Sequence, residues 1–344
     1  MQNQSKSIAG FFPGQGSQQV GMGKPFYDEF TVFRQVIEEA SDSLNFNLKK
    51  LIFDGPEKDL TLTENAQPAI LAVSTGCFRV AEMELGLETS VHLGHSLGEY
   101  SALVASEAIP FSDAVQWVNA RGLAMQKAVP VGEGAMCAVI GAEDAQVDEW
   151  CKEAIAIAKG LRKTQETKYT VACTVEAANF NAPGQVVVSG SVDAVDAIEN
   201  LITEKKIRGV MAKRLNVSAP FHSSLMKPAR DAMDEIFANS KSKLNHLITP
   251  YIPNRTARIT QEQSVVFELL SEQVDHSVLW KQSVEALFQQ NYRIAFEFGP
   301  GKVLQGLAKR IAKNIDGVEF ETHPIYDLET LKAAAAVLKT GGFK

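Results

Sequence analysis

The sequence predicts an α/β protein in which a large parallel-sheet domain, residues 1–130 and 209–344, is interrupted by a small α+β domain at 131–208. Three observations carry that expectation. Short apolar runs at 7–13, Val91–Gly94 and Ile294–Phe298 lead into glycine-containing turns and then helix-period stretches, as buried parallel strands do. A glycine-flanked serine, Gly94-His95-Ser96-Leu97-Gly98, closes the second run. Between 131 and 208 the order changes to strand, helix, two strands, helix.

The G-x-S-x-G spacing reads as a nucleophile elbow: a buried strand ends, the chain turns sharply, and a helix begins. Glycines two residues either side of Ser96 let backbone approach where a Cβ would clash. The new helix N-terminus offers free N–H groups and a positive dipole end, both suited to an oxyanion. This makes the large domain α/β-hydrolase-like. From the pentapeptide alone, an ordinary Gly-rich turn is the alternative.

Taken in order, 7–13 is the first strand. Gly14-Gln15-Gly16 then forms a tight turn rather than a phosphate loop, because G-x-G-x-x-G and a Lys-Ser/Thr pair are both missing. If this turn and Ser96 lie at the carboxyl ends of neighbouring strands, the two approach each other. Residues 25–53 are helical, with Phe26, Phe30, Phe33, Val36, Ile37 and Ala40 as a core stripe, and 63–86 form another helix. Beyond the elbow helix, Pro110 and Ser112-Asp113 start a helix that carries Arg121 among Val115, Trp117, Val118 and Leu123. An arginine there is either satisfied by a core carboxylate or placed for an anion.

In the small domain, 134–141, 169–179 and 185–190 read as strands and 142–160 and 191–206 as helices. With a further short strand in 208–215, this order is ferredoxin-like. The polar stretch 161–168 reads as a surface loop. His222 sits on a turn just past an apolar run ending in Pro220, a position suited to chemistry. Residues 273–290 read as one helical region around Val278-Leu279-Trp280. Helices at 303–311 and from 330 onward complete the chain.

Composition excludes several classes. The 344 residues allow a sizeable core, and 45% hydrophobic with 22% charged residues is ordinary for a soluble globular protein. A net charge of −7 without a long basic run argues against nucleic acid as a partner. No apolar run reaches the roughly 18 residues of a membrane span, and the N-terminal apolar stretch is too short for a signal peptide. Cys77, Cys137, Cys151 and Cys173 form no C-x-x-C, and the six histidines no H-E-x-x-H. The expectation is a cytoplasmic protein with reduced thiols, no metal and no cofactor.

These pieces compose an acyl-transfer site. Ser96 is the nucleophile, His222 the general base, the Leu97 N–H one oxyanion donor and the Gln15 N–H a candidate for the second. A hydrolase triad would place an acid between serine and histidine in the chain. Glu176, Asp193 and Asp196 all fall in the small domain, so a backbone carbonyl is the alternative orienter of His222.

Six segments in one order carry a resemblance: FFPGQGSQQVGMG, GHSLGEYSAL, ARGLAM running into AVPVGEGAMCAVIG, NFNAPGQVVVSG, APFHSSLM and EFGPGKVLQGL. They resemble the malonyl-CoA:acyl-carrier-protein transacylases and the related acyltransferase domains of polyketide synthesis, from about Ile8 to Ile311. The resemblance implies that malonyl-CoA acylates Ser96 and that the phosphopantetheine thiol of an acyl carrier protein then takes the malonyl group. It implies His222 as base, Gln15 and Leu97 as the oxyanion hole, and Arg121 as the partner of the malonyl carboxylate, where a planar fork suits better than an ammonium. Phe221 resembles the malonyl-selective form and would crowd an α-methyl group. The chain departs from the pattern at Leu279, where glutamine is usual before the tryptophan, and in an enlargement near Leu161 to Lys168. If position 279 orients His222 by its main-chain carbonyl, the change is harmless; if the side chain is needed, His222 is less well held.

The rivals are an esterase or thioesterase on the same elbow, which gains nothing from a cation at Arg121, and a silent carrier-protein-binding subunit, which needs no Ser96, His222 and Arg121 together. Carrier proteins are generally acidic, so a docking face should be locally basic. Lys205, Lys206, Arg208, Lys213 and Arg214 are candidates, as are Lys302, Lys309 and Arg310, each alternatively a solvated charge. A monomer is expected.

Overall fold

A computed structural model describes residues 7–164, 169–217, 219–240 and 244–340. The chain opens with β1 (Ile8–Phe12) and β2 (Val91–Gly94). It leaves for β3 (Gly134–Ile140), β4 (Val175–Ala182), β5 (Gln185–Ser191) and β6 (Met211–Arg214), and returns with β7 (Ile294–Phe298) and β8 (Glu321–Ile325). The strands β2-β1-β7-β8 form a parallel sheet and β4-β5-β3-β6 a separate antiparallel one.

Strands β1, β2 and β7 are buried at every position, as a parallel sheet covered on both faces requires. Side chains alternate between two cores. Ile8 and Phe12 join the cluster of the long helix Thr63–Leu85 on one face; Ala9 and Phe11 join Trp280, Val284 and Ile311 on the other. The small sheet has its own core, with Val139 and Val188 packed with Trp150 and Ile198 of its two helices. Its strand order, second-third-first-fourth in chain order, is the ferredoxin-like arrangement.

Several details differ from expectation. β6 falls within the strand expected at 208–215 and pairs with β3 in the small sheet, so that sheet runs past the expected boundary at residue 208. The helix Asp144–Thr164 continues through 161–164, held by Arg162, which bonds Asp193 and the Val171 carbonyl; the rest of the expected loop, 165–168, lies outside the described residues. The stretch 25–53 is three helices rather than one, broken at Phe30, whose backbone is extended, and at Asn45, whose backbone is left-handed; Asn47 then caps the third. Residues 273–290 are not one helix either. Val266–Asp275 ends before a bridge in which Val278 pairs with β4, and a new helix runs Trp280–Gln289. Strand β8, with Pro324 inside it, sits at the sheet edge where a missing N–H is tolerated.

Among the described residues, no helix is long and apolar enough to cross a membrane. Nor does any group of three or more His, Cys, Asp or Glu suit a metal ion.

Candidate active site

Ser96 lies between β2 and the helix Gly98–Ala105 with φ of 52°, a left-handed backbone that a non-glycine residue adopts at a cost. Asn254 holds that turn. Its Oδ1 accepts from the Ser96 N–H at 2.7 Å and its Nδ2 donates to the Gly94 carbonyl at 2.7 Å. The turn closes so tightly that a Cβ on Gly94 would sit 1.9 Å from the Gly98 carbonyl oxygen. A Cβ on Gly14 would sit 2.4 Å from the His95 carbonyl oxygen, so the glycine turn after β1 does lie against the elbow.

His222, itself at φ 59°, brings Nε2 to 2.7 Å from Ser96 Oγ. Its Nδ1 lies 2.8 Å from the Gln273 carbonyl oxygen. A carbonyl only accepts, so Nδ1 carries the proton and Nε2 presents its lone pair to the serine hydroxyl. Burial, with the Arg121 charge as a second cause, pushes the imidazole down to about 3, so it is neutral at physiological pH. The orienter is therefore a backbone carbonyl. Glu176 bonds Ser224, Asp193 pairs with Arg162, and Asp196 pairs with Arg214. The carbonyl comes from Gln273 and not from position 279, where Leu279 begins the helix at Trp280 and accepts from Ser283.

Arg121 projects from the helix Phe111–Lys127 and is 1% exposed. It donates to Gln67 Oε1 and Gln273 Oε1, each at 2.8 Å, and to Ser96 Oγ at 3.1 Å. All three acceptors are uncharged, its Nε has no hydrogen-bond partner, and no carboxylate contacts it among the described residues. Burial accordingly disfavours its charge. The core-carboxylate alternative fails.

These groups face a cavity of about 750 Å³ whose walls come from the small sheet and from the turns that follow β1 and β2, including Gln15, Leu97, Met136, Asn179, Val187 and Phe221. Gln15 Nε2 donates to Thr63 Oγ1 at 3.3 Å, and the backbone N–H groups of Gln15 and Leu97 have no acceptor among the described residues. His95 reaches across to Asn181 at 2.8 Å, joining the elbow to β4. Of the basic candidates, Lys205 pairs with Glu153 and Arg214 with Glu199, so neither offers an uncommitted charge. Lys206, Arg208, Lys213, Lys302, Lys309 and Arg310 are exposed.

Residues 11–327 match the acyl transferase domain family. The malonyl CoA-acyl carrier protein transacylase of Bacillus subtilis (strain 168) is 37% identical over 332 residues, 96% of this chain and 97% of that protein. The chain belongs to the malonyl CoA-acyl carrier protein transacylase family. Two solved structures agree with that membership. An acyl-carrier-protein S-malonyltransferase from Burkholderia pseudomallei 1710b superposes with a TM-score of 0.86 at 38% identity, covering 96% of this chain and 99% of that one. A malonyl-transacylase solved in complex with its type II PKS acyl-carrier protein gives a TM-score of 0.86 at 35% identity, covering 96% of this chain and 100% of that one.

For this transacylase-family chain, sequence reasoning brought together Ser96, His222, Arg121, Gln15, Leu97 and Phe221, and all six line the one cavity. It missed Gln273, Asn254, Gln67 and Glu99. Only Glu99 carried a local signal, since it directly follows the elbow.

Proposed function

We propose that this chain moves a malonyl group from malonyl-CoA to the phosphopantetheine thiol of an acyl carrier protein through an ester on Ser96. His222 Nε2 takes the hydroxyl proton as Ser96 Oγ attacks the thioester carbonyl. The Leu97 and Gln15 N–H groups hold the developing oxyanion. Collapse expels the CoA thiolate, which takes the proton from His222. The carrier thiol then gives its proton to His222 and attacks the ester carbonyl; collapse leaves the malonyl thioester on the carrier and expels Ser96 Oγ, which takes the proton back from His222.

The observation that carries this reading is Arg121, a buried guanidinium beside Ser96 Oγ with only neutral acceptors. A free acyl carboxylate would supply the missing charge as a bidentate pair. Phe221, 8% exposed on the cavity wall, supports selection against an α-methyl group. The exposed Lys302, Lys309 and Arg310 beside the cavity residues Val303, Leu304 and Leu307 favour an acidic carrier protein as the docking partner. Four free thiols fit a cytoplasmic enzyme.

Intact-protein mass after brief incubation with malonyl-CoA tests the reading. The expected result is a malonyl adduct that is absent in Ser96→Ala and is discharged by holo carrier protein. Steady release of malonate without an adduct would instead mark a hydrolase.

A further inference from the structure

Glu99 is a buried carboxylate that the acyl-transfer scheme leaves unused. It is 0% exposed. Its Oε2 accepts from the Asn254 N–H at 3.0 Å and from Gln273 Nε2 at 2.7 Å, while Oε1 has no hydrogen-bond partner. No cation contacts it among the described residues. Burial pushes the carboxyl up to about 7 despite those two bonds. A carboxylate held this way is costly to the fold, and such costs concentrate at functional sites.

Its neighbours explain the expense. Gln273 is the hub of the site: its carbonyl orients His222, its Oε1 accepts from Arg121, and its Nε2 donates to the Ser96 carbonyl at 2.9 Å and to Glu99. Turned over, the same amide would set its NH2 against the guanidinium, donor against donor. Ionised, or carrying its proton on Oε1, the carboxyl presents Oε2 as an acceptor, so Glu99 draws the amide nitrogen to its own side and turns the oxygen toward Arg121.

We propose that Glu99 is a positioning residue for acyl selectivity: by keying the Gln273 amide, it aims the Arg121 fork beside Ser96. The arrangement also keeps the carboxylate one amide away from the guanidinium. In direct contact it would occupy the fork. At one remove it supports the buried cation through space, as its Coulombic influence on Arg121 indicates, and leaves the fork for an incoming acyl carboxylate. This inference rests on the malonyl reading above.

The test compares kcat/KM for malonyl-CoA and acetyl-CoA in wild type, Glu99→Ala and Glu99→Gln, with Tm for each. Glu99→Ala should lower kcat/KM for malonyl-CoA by about 10²-fold and for acetyl-CoA by less than about tenfold, because only the dicarboxylic group uses the fork. Glu99→Gln, whose amide oxygen can accept both bonds, should recover about tenfold or more of the malonyl loss with Tm at or above wild type. Equal losses on both thioesters, or no recovery in Glu99→Gln, would overturn the proposal. A wild type that is acylated by neither thioester overturns the acyl-transfer reading and this one with it. Normal wild-type acylation with indifferent variants overturns this one alone.

Discussion

Arg162, near the end of the small sheet's first helix, donates Nε and NH2 to the two oxygens of Asp193 at 2.6 and 2.9 Å. That pairing raises its hold on the proton. Arg121, in the large domain, is more deeply buried, yet it meets only amide and hydroxyl oxygens, and burial lowers its hold. The small domain thus neutralises its partly buried cations at once, and Arg214 with Glu199 repeats the pattern. Around the elbow, charges are left incomplete: among the described residues no carboxylate contacts Arg121 and no cation contacts Glu99, and Ser96 sits in a left-handed backbone. The difference separates a region built for its own stability from one that holds strain and unmatched charge for a ligand.

Four experiments probe that contrast. The largest effect falls on the elbow side. His222→Ala should cut the rate of Ser96 acylation by about 10²–10⁴-fold, whereas Glu176→Ala, removing an acid of the small domain, should leave it within about twofold in stopped-flow measurements. Next, Phe221→Ala should raise the methylmalonyl-to-malonyl ratio of kcat/KM by about tenfold, the equivalent of ~1–3 kcal/mol of lost crowding. Urea melts compare the two arginines directly. Arg162→Met, which strands Asp193, should cost ~1–3 kcal/mol, while Arg121→Met should leave stability within about 1 kcal/mol, since a buried charge without its counter-charge is removed.

The smallest effect concerns pH. Glu99 binds its proton more tightly folded, about 7, than the 4.5 of an exposed glutamate. Its contribution is therefore intact below 4.5 and is lost as pH rises through 7. Glu99→Gln should melt closer to wild type at pH 5 than at pH 8, with the variant the more stable at pH 8. Equal differences at both pH values would count against a buried ionising carboxylate.

The elbow was legible because its chemistry needs a local spacing. Two glycines and a serine must fall within five residues for the turn to close, and the apolar run before them marks the strand. Arg121 was legible through its apolar neighbours, and Phe221 and His222 through the segment that carries them. Gln273 and Asn254 were not, because they act across 177 and 158 residues of chain through single hydrogen bonds. A carbonyl that orients a histidine leaves no mark on residue type at all. Fold errors had similar causes. Strand β8 reads Glu-Thr-His-Pro-Ile, without alternation, and is defined by its neighbour β7. The broken helix around Val278 reflects pairing with β4, a tertiary contact that outweighs helical periodicity.

On the malonyl-transfer reading, Arg121 keeps its charge unmatched for the carboxylate of the acyl group. Competition between malonyl-CoA and acetyl-CoA for Ser96, read by intact mass in wild type and Arg121→Ala, tests it most directly. Malonyl should dominate the wild-type adduct, and the substitution should shift the ratio toward acetyl by about 10²-fold. An unchanged ratio, with both adducts falling together, would contradict it.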